Sequence, residues 1–578
     1  MSEEKIKVEK KKDNSLFNNY FSIIYSHPIA AAVFLCLLCI SVSTGQVTLV
    51  NASLPAIGIA ALGCAAAYYF YNNAKEDEKK QGRQKAIIAA ATGFVTAFCF
   101  VYGVYVKGSY SIVVMNIGLA AVGAIFLYLA AVDKLTTRNI ILLLFAAGFI
   151  MRLTYVLSIP YDRFQHDVYS FGRGSGHSGY IEYIFANGHL PDFDVTTVDQ
   201  FYHPPIHHII AAVWLRLQTV CGISYENAFE NIQILTLFYS TLCLILSYKI
   251  FRRMGLKDSG LVTATAIITF CPAFYIMAGS VNNDILSIAF TLGAVLNTLY
   301  WFKSRSIGRI ICIALCIGLG MMTKLSVWMV APAVAFIFIY VFFKEIKSFK
   351  KYIVQYLVFI AVCAPLGLCW SVRNYLSWGI PFTFVQKLSE NSSQYIGNIP
   401  VMTRLFGLDS IQFDDVAEQF SMFGGKYNEY NPLIGFFKTS VFDEGIAVRH
   451  YPMIEGFNKI LFWSAVILGL AGFAAMIYMF FKKKNFISVP IRIFTAIFYG
   501  VILGCYYLFC FEFPHVCTQN VRYGVPLIVV GALSLGFLLQ NIIKIKKPFP
   551  KYLSAALMVL ISVYALSGIF VYNIVAGV

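Results

Sequence analysis

The chain has 578 residues, of which 58% are hydrophobic and 13% are charged, and its formal net charge at pH 7 is +16. Soluble domains are typically about 45–50% apolar and about 25% charged, so this composition excludes a soluble globular protein and predicts an integral membrane protein. Basic residues cluster in short segments between apolar runs, such as "KIFRRMGLK" and "KEIKSFKK". Cytoplasmic loops of membrane proteins carry excess Lys and Arg, so the positive charge reflects membrane topology and disfavours a nucleic-acid partner.

Apolar runs long enough to cross a bilayer recur along the chain. A membrane-spanning helix needs about 20 predominantly apolar residues, and about fifteen such runs are present. The predicted spans lie near residues 28–45, 48–71, 86–106, 111–132, 139–159, 232–251, 262–280, 285–302, 310–322, 325–343, 353–370, 461–481, 491–511, 526–542 and 553–571. The sequence therefore predicts an all-α polytopic helical bundle embedded in a lipid bilayer.

Polar segments divide the chain into three predicted parts. Residues 1–27 form a cytoplasmic basic tail, residues 28–136 an extra region of four membrane helices, and residues 137–578 the main membrane domain. Alternating sides from a cytoplasmic N-terminus places two long polar regions, about 160–230 and 371–457, outside the cell. Those two regions hold 17 of the 29 acidic residues. Because the spans are nearly free of ionisable groups, a pump or channel is disfavoured.

The stretch "YDRFQHDVYS", residues 161–170, directly follows a predicted span and presents Asp162, His166 and Asp167. A carboxylate held at that point suits general-base chemistry at the membrane surface. The alternative is an ordinary solvated loop.

Six of the nine histidines lie in the first outer region, and "DQFYHPPIHH" holds His203 and His207. The prolines between them restrict the backbone, so these two residues are not expected to share a helix face as metal-binding histidines do. A divalent-metal site built from His203, His207 and Asp167 stays open, beside histidines that only pack and hydrogen-bond. The following piece, "IIAAVWLRLQTVCG", is predicted to lie in the outer membrane interface.

Further polar groups stand at predicted helix ends on the outer side. "AGSVNNDILS" holds Asn283 and Asp284, for which a helix N-cap is the simplest explanation. Lys324 in "GLGMMTKLSVW" and Arg373 in "WSVRNYLSWGIPF" are cations on the predicted outer side, whereas Lys and Arg of membrane proteins are in excess on the cytoplasmic side. Each of them either binds a lipid-linked phosphate or anchors the chain to lipid headgroups.

The last outer link, "EFPHVCTQNVRYGVP", holds Arg522 and Tyr523. Arginine suits bidentate contacts to phosphate, and headgroup anchoring is again the alternative. Outer acids, histidines and three isolated cations together are the groups needed to hold a lipid phosphate and to deprotonate a group beside it.

The ordered set "HPPIHH", "NND", "TKLS", "RNYLSWGIP" and "QNVRYGVP" resembles the GT-C membrane glycosyltransferases over about residues 137–578. The nearest group is the bacterial relatives of the dolichyl-phosphate-mannose protein mannosyltransferases and of the aminoarabinose lipid A transferases. The resemblance implies a sugar donor carried on a polyprenyl phosphate, inversion at the anomeric carbon, and an active site on the extracytoplasmic face of the plasma membrane. The resemblance does not specify a cofactor, and the question whether a divalent metal is needed stays open.

The resemblance also implies roles for individual residues. The acid of the first outer loop, the base on the acceptor hydroxyl, corresponds to Asp167, and Arg522, Arg373 and Lys324 are the candidates for the donor phosphate. Many relatives have two adjacent acids in this loop, whereas His166 precedes Asp167 here, so His166 or Asp162 is expected to take the second acid's place.

The remaining candidates for contacts to the acceptor or the sugar are Asp162, His203, His207, Asn283, Asp284 and Tyr523. An envelope glycan, a glycolipid and a protein all remain open as acceptors. Two other classes of function are weighed beside the transferase: a flippase or transporter of lipid-linked glycans, and a non-catalytic subunit of envelope assembly. The sequence shows no internal repeat of the kind that many transporters have.

Overall fold

The computed structural model describes residues 111–131, 133–165, 167–408, 416, 429–444 and 452–576. The predicted cytoplasmic tail, the first three predicted spans and His166 lie outside the described residues. The chain divides into two compact units, Met1–Lys134 with Asn573–Val578, and Leu135–Tyr572. Every candidate residue that the structure describes belongs to the second unit.

The described residues contain eighteen α-helices, numbered here in chain order. They are α1 Ser111–Ala131, α2 Thr137–Ser158, α3 Gly176–Asn187, α4 Ile206–Val220, α5 Tyr225–Glu230, α6 Gln233–Arg253, α7 Asp258–Phe270, α8 Pro272–Gly279, α9 Asp284–Ser304, α10 Ile307–Met321, α11 Ala331–Lys344, α12 Phe349–Trp378, α13 Val401–Phe406, α14 Pro432–Val441, α15 Pro452–Phe481, α16 Val489–Glu512, α17 Val525–Ile542 and α18 Pro548–Ala576.

Within the described part of the chain, ten helical segments are long and apolar enough to cross a membrane, and the bent pair of α7 and α8 makes an eleventh if it forms one span. Helix α10 is apolar but shorter, with 15 residues. Each predicted span after residue 110 coincides with one of these segments, which confirms the all-helical membrane fold. The predicted total of about fifteen spans is not confirmed, because three of those spans precede the described residues.

Helices α7 and α8 meet at a break of 41° before Pro272. Proline has no backbone N–H, so the carbonyl of Ile268, four residues earlier, loses its helical partner. Arg152 of α2 is fully buried and donates hydrogen bonds to the carbonyls of Ile268 and Thr269, both at 3.4 Å. An unpaired carbonyl in the hydrocarbon region costs several kcal/mol, so Arg152 stabilises the break.

One polar face of α6 satisfies the carbonyl groups of α8. Three buried side chains on this face donate hydrogen bonds of 2.6–2.7 Å. The pairs are Gln233 with Gly279, Thr236 with Ala278, and Ser240 with Phe274. These bonds fix the direction of α8, and with it the turn that leads into α9.

The first outer region folds into α3, α4 and α5. Helix α4 is the amphipathic piece that the sequence indicates: it buries His207 and His208 on one face and exposes Val213, Leu217 and Val220 on the other. Its location in the outer membrane interface stays a prediction.

Candidate active site

A cavity of about 500 Å³ lies where loops after several helices converge. Its polar lining includes Asp167, His203, Asp284, Lys324, Arg522 and Tyr523. Its apolar lining includes Leu325, Trp328, Met329, Leu368, Leu508 and Phe509. Three of these apolar side chains, Trp328, Leu368 and Leu508, are 46%, 40% and 69% exposed on the surface of the protein. The cavity thus joins a charged cluster to an apolar surface, which suits an amphiphilic ligand.

The loop that carries Asp167 is pinned to the start of α3. The carbonyl of Asp167 accepts a hydrogen bond from the N–H of His177 at 2.9 Å. The carbonyl of Val168 accepts from the N–H and the hydroxyl of Ser178, at 3.0 and 2.6 Å. Asp167 has a positive φ of 59°, a conformation that aspartate adopts more readily than most residues. The backbone therefore holds the carboxylate in one place.

Gly176 is required for this arrangement. Its φ is +77°, and a Cβ atom added to it would lie 2.4 Å from the ring of Tyr169 and 2.9 Å from the carbonyl oxygen of Asp167. Only glycine fits a left-handed residue so close to another backbone. The glycine-rich stretch "GRGSG" is therefore part of what positions Asp167.

Four charged side chains of the cavity form one cluster. Arg522 Nη2 lies 3.0 Å from Asp167 Oδ2, and Arg522 Nη1 lies 3.6 Å from Asp284 Oδ2. The other oxygen of Asp284 pairs with the Lys324 ammonium group. Tyr523 accepts a hydrogen bond from Arg522 at 2.9 Å, and its ring lies 4.9 Å from Lys324 Nζ. Two cations and two carboxylates thus face the cavity together.

The two cations come from tight connections between helices. Lys324 lies between α10 and a 3₁₀ helix, Leu325–Val330, and its N–H donates to Gly320 at the end of α10. Arg522 lies in a second 3₁₀ helix, Val521–Tyr523, between α16 and α17. Burial lowers the pKa of Lys324, and the nearby Asp284 carboxylate opposes that effect. Burial likewise raises the pKa of Tyr523, which keeps its phenol protonated as a hydrogen-bond donor.

A column of stacked rings adjoins the charged cluster. His203 stacks on His177 with ring centroids 5.3 Å apart, and His177 stacks on His208 at 5.2 Å. His177 and His208 also share a hydrogen bond of 2.9 Å between ring nitrogens. Burial lowers the pKa of all three imidazoles well below the ordinary value. They are therefore neutral near pH 7 and form a rigid wall rather than a third source of charge.

The histidines do not assemble the metal site that the sequence left open. No group of three or more His, Cys, Asp or Glu side chains among the described residues is arranged to hold a metal ion. Helix α4 begins after Pro205, so His203 stacks outside the helix whereas His207 lies inside it, against the ring of Tyr239. The described residues do not fit a divalent metal, and no step of the chemistry is assigned to one.

Three other predicted site residues do not contribute a side chain to the charged cluster. Arg373 donates to the carbonyl of Pro191, and its guanidinium stacks on Trp370 and Trp378 at 4.7 and 4.5 Å. Asp162 is exposed and accepts a hydrogen bond from Ser170 at 3.3 Å. Asn283 is buried and donates to the carbonyl of Thr323 at 2.8 Å, so it ties the turn before α9 to the segment of Lys324.

The cavity also contains residues that were not among the predicted site residues. Tyr202, Trp370, Asn374 and Glu512 all contribute to its lining. The only indication for Tyr202 in the sequence is that it directly precedes the predicted site residue His203. Nothing in the sequence distinguished Asn374 from the adjacent Arg373, because only the rotation of α12 decides which of the two faces the cavity.

Comparison with known proteins gives one family match. Residues 202–370 match the family model of the dolichyl-phosphate-mannose-protein mannosyltransferases. That range contains Asp284 and Lys324, whereas Asp167 and Arg522 lie outside it. No curated protein sequence matches the chain.

Among solved structures, the chain is similar to the apo form of the Archaeoglobus fulgidus oligosaccharyltransferase, with a TM-score of 0.44 and 11% sequence identity. The similarity covers 76% of this chain and 56% of that protein. The chain therefore spans little more than half the length of the structure that it matches.

The helical membrane fold and the match over residues 202–370 together support a resemblance to the class of GT-C membrane glycosyltransferases. Within that class, its central 169 residues, 202–370, are similar to the dolichyl-phosphate-mannose-protein mannosyltransferases. The resemblance that the ordered motifs indicated is thereby confirmed.

Proposed function

We propose that the protein transfers a sugar from a polyprenyl-phosphate donor to a hydroxyl group of an envelope acceptor, on the extracytoplasmic face of the plasma membrane. The observation that carries this proposal is the cavity that joins Asp167, Lys324 and Arg522 to an exposed apolar surface. A polyprenyl-phosphate sugar has the same two-part character, with a lipid tail and an anionic head. The acceptor, whether glycan, glycolipid or protein, is left open.

In the proposed reaction, the acceptor oxygen attacks the anomeric carbon of the sugar while the Asp167 carboxylate takes up the hydroxyl proton. The bond between the anomeric carbon and the phosphate oxygen breaks on the opposite side, so the configuration inverts. The bonding electron pair leaves with the polyprenyl phosphate. Each proton and electron is accounted for without a redox partner.

The leaving phosphate gains negative charge as that bond breaks, and Lys324 and Arg522 are placed to stabilise it. Cations that are already oriented before the reaction stabilise developing charge more than mobile solvent does. Both cations are largely buried, with 13% and 9% of their side-chain surface exposed. In such an environment the interaction with phosphate is less screened than in water.

The test is Asp167→Asn, assayed for sugar transfer in membranes supplied with labelled polyprenyl-phosphate sugar. We expect a loss of transfer of about 100-fold or more, because general-base catalysis typically contributes that much. Asp192→Asn is the matched control, since Asp192 is an exposed carboxylate of the same outer region and accepts a hydrogen bond from Tyr183 at 3.1 Å.

Full transfer by Asp167→Asn would overturn the assignment of the base. Movement of a lipid-linked glycan across the membrane without any transfer by the wild-type protein would overturn the enzyme proposal and favour the transporter class. A wild-type protein that neither transfers nor transports, while its deletion still alters the envelope, would favour an assembly subunit.

A further inference from the structure

We infer that Asp284 is a positioning residue, the anion that holds Lys324 and Arg522 together at the donor phosphate site. This inference rests on the proposed function and refines it, since the sequence indicated only a helix cap or a sugar contact for Asp284. It assigns to Asp284 an effect on the substrate that acts through two other side chains.

The contacts of Asp284 divide evenly between the two cations. Its Oδ1 pairs with Lys324, and its Oδ2 lies 3.6 Å from Arg522 Nη1. Only 3% of its side-chain surface is exposed. Each oxygen of this buried carboxylate therefore faces one of the two cations. Its geometry is that of a bridge between the cations.

The backbone around Asp284 is fixed on both sides. Its N–H donates to the side chain of Asn282 at 3.1 Å, which makes a tight turn at the start of α9. Asn283 donates to the carbonyl of Thr323, the residue before Lys324. The side chains of Asn283 and Asp284 therefore attach the start of α9 to the lysine segment.

The Asp284 carboxylate offsets the electrostatic repulsion between the two cations. Lys324 and Arg522 are like charges in a buried site and repel each other when no anion is present. Burial lowers the pKa of Lys324, Arg522 acts in the same direction, and Asp284 is the strongest opposing influence. Asp284 thus keeps Lys324 protonated while the site waits for a phosphate.

The other groups that face Lys324 do not replace this anion. Asp167 opposes the lowering of the lysine pKa less strongly than Asp284 does, and it forms an ion pair with Arg522. The Tyr523 ring lies against the lysine and keeps its phenol proton. His177 and His203 are neutral, because burial lowers the pKa of each.

The test is the pH dependence of donor affinity for Asp284→Asn, measured with a labelled polyprenyl-phosphate sugar between about pH 6 and about pH 10. The phosphodiester of that probe does not titrate in this range, so changes report on the protein. We expect the variant to lose affinity with rising pH at a lower pH than the wild type, because its Lys324 deprotonates earlier. Adding Lys324→Arg should abolish this shift, since arginine stays protonated.

A purely structural role predicts a different result. Partial misfolding would lower the amount of active protein equally at every pH and would leave the shape of the profile unchanged. Asp199→Asn is the matched control, since Asp199 accepts a hydrogen bond from Gln386 at 2.6 Å and, in the described part of the chain, forms no ion pair with either cation. We expect the control to keep the wild-type profile.

An unchanged profile in Asp284→Asn would overturn the inference. Should that variant fail to accumulate, Asp284→Glu decides instead: it keeps the charge, so we expect weaker donor binding with the wild-type profile, and a profile moved to lower pH would contradict the role. A wild-type protein that binds no polyprenyl-phosphate sugar at any pH would overturn the proposed function itself, which separates the two failures.

Discussion

Arg522 donates a hydrogen bond to the carboxylate of Asp167 at 3.0 Å, so the proposed phosphate ligand and the proposed base are paired with each other. The two residues are 355 positions apart in the chain. A donor phosphate that takes up the guanidinium competes directly with this ion pair. Binding of the donor would therefore release the carboxylate to accept a proton from the acceptor.

Replacing Arg522 by alanine should weaken use of the donor. Charged hydrogen bonds contribute about 1.5–3 kcal/mol, so the KM for the polyprenyl-phosphate sugar should rise about 10- to 100-fold. Steady-state transfer assays in membranes, with the amount of protein measured by immunoblot, provide the check. If the variant fails to accumulate at all, Arg522 is required for folding and the role in donor binding is wrong.

Arg373 should behave differently from Arg522 when replaced by alanine. Its guanidinium stacks on Trp370 and Trp378 and bonds Pro191, and stacking of this kind contributes about 0.5–2 kcal/mol. We expect a lower thermal-denaturation midpoint in detergent and a donor KM that stays within about threefold of the wild type, less than 1 kcal/mol. A large rise in donor KM without loss of thermal stability would restore Arg373 to the phosphate site.

Replacing Gly176 by alanine should displace the loop of Asp167. The added Cβ would lie 2.4 Å from Tyr169 and 2.7 Å from the carbonyl oxygen of Val168, at a φ of +77°. We expect kcat to fall by at least about tenfold, because a misplaced catalytic group loses much of its effect. Gly172→Ala is the control: its φ is +84°, but the added atom meets nothing within 4 Å. Equal losses in both variants would show that backbone conformation, rather than the close contact, limits activity.

The buried histidines should make the protein sensitive to acid. Burial lowers the pKa of His207 from 6.5 to about 4, so the unfolded chain binds more protons than the folded protein between those values. Stability therefore falls as the pH falls from about 6.5 to about 4, and His207 alone accounts for about 3 kcal/mol of that loss. Thermal denaturation in detergent across this range measures it.

His207→Phe is the matched variant for this measurement, because neither ring nitrogen of His207 has a hydrogen-bond partner among the described residues and the ring packs against Tyr239. We expect it to fold at neutral pH and to lose less stability on acidification than the wild type. The same acid sensitivity in both proteins would contradict the assignment.

The orientation of the chain is tested by reporter fusions. Alternation of the predicted spans places Lys350, in the basic stretch "KEIKSFKK", in the cytoplasm and Ser393, in the second outer region, outside. A fusion after Lys350 should be active with a cytoplasmic reporter, and one after Ser393 with an external reporter. The reverse pattern would move the whole cavity to the cytoplasmic face.

The sequence predicted the membrane helices well, because hydropathy and length are local properties. The location of Lys324 and Arg522 at the cavity was also predictable, since the predicted topology puts both cations on the outer side, where Lys and Arg are less frequent. The role of Asp284 as their shared partner was not predictable, because 40 positions separate it from Lys324. In addition, a helix N-cap is a sufficient explanation for the motif "NND".

The remaining differences depend on packing in three dimensions. The rotation of α12 turns Asn374 toward the cavity and Arg373 away from it, and no pattern in "WSVRNYLSW" specifies that rotation. Likewise, "HPPIHH" shows that a helix starts after the prolines, but stacking of His203 on His177 brings together segments 26 residues apart. Of the adjacent residues His166 and Asp167, only Asp167 belongs to the described residues, so a role for His166 stays a prediction.

The break between α7 and α8 has a consequence for how the chain is made. The carbonyl groups at the break are satisfied by Arg152 of α2, and those at the far end of α8 by the polar face of α6. Both α2 and α6 precede the kinked segment in the chain. During synthesis, the helices that carry the hydrogen-bond donors therefore enter the membrane before the helices that carry the acceptors. The kinked segment, which would be costly to leave alone in lipid, is synthesised when its partners are already in place.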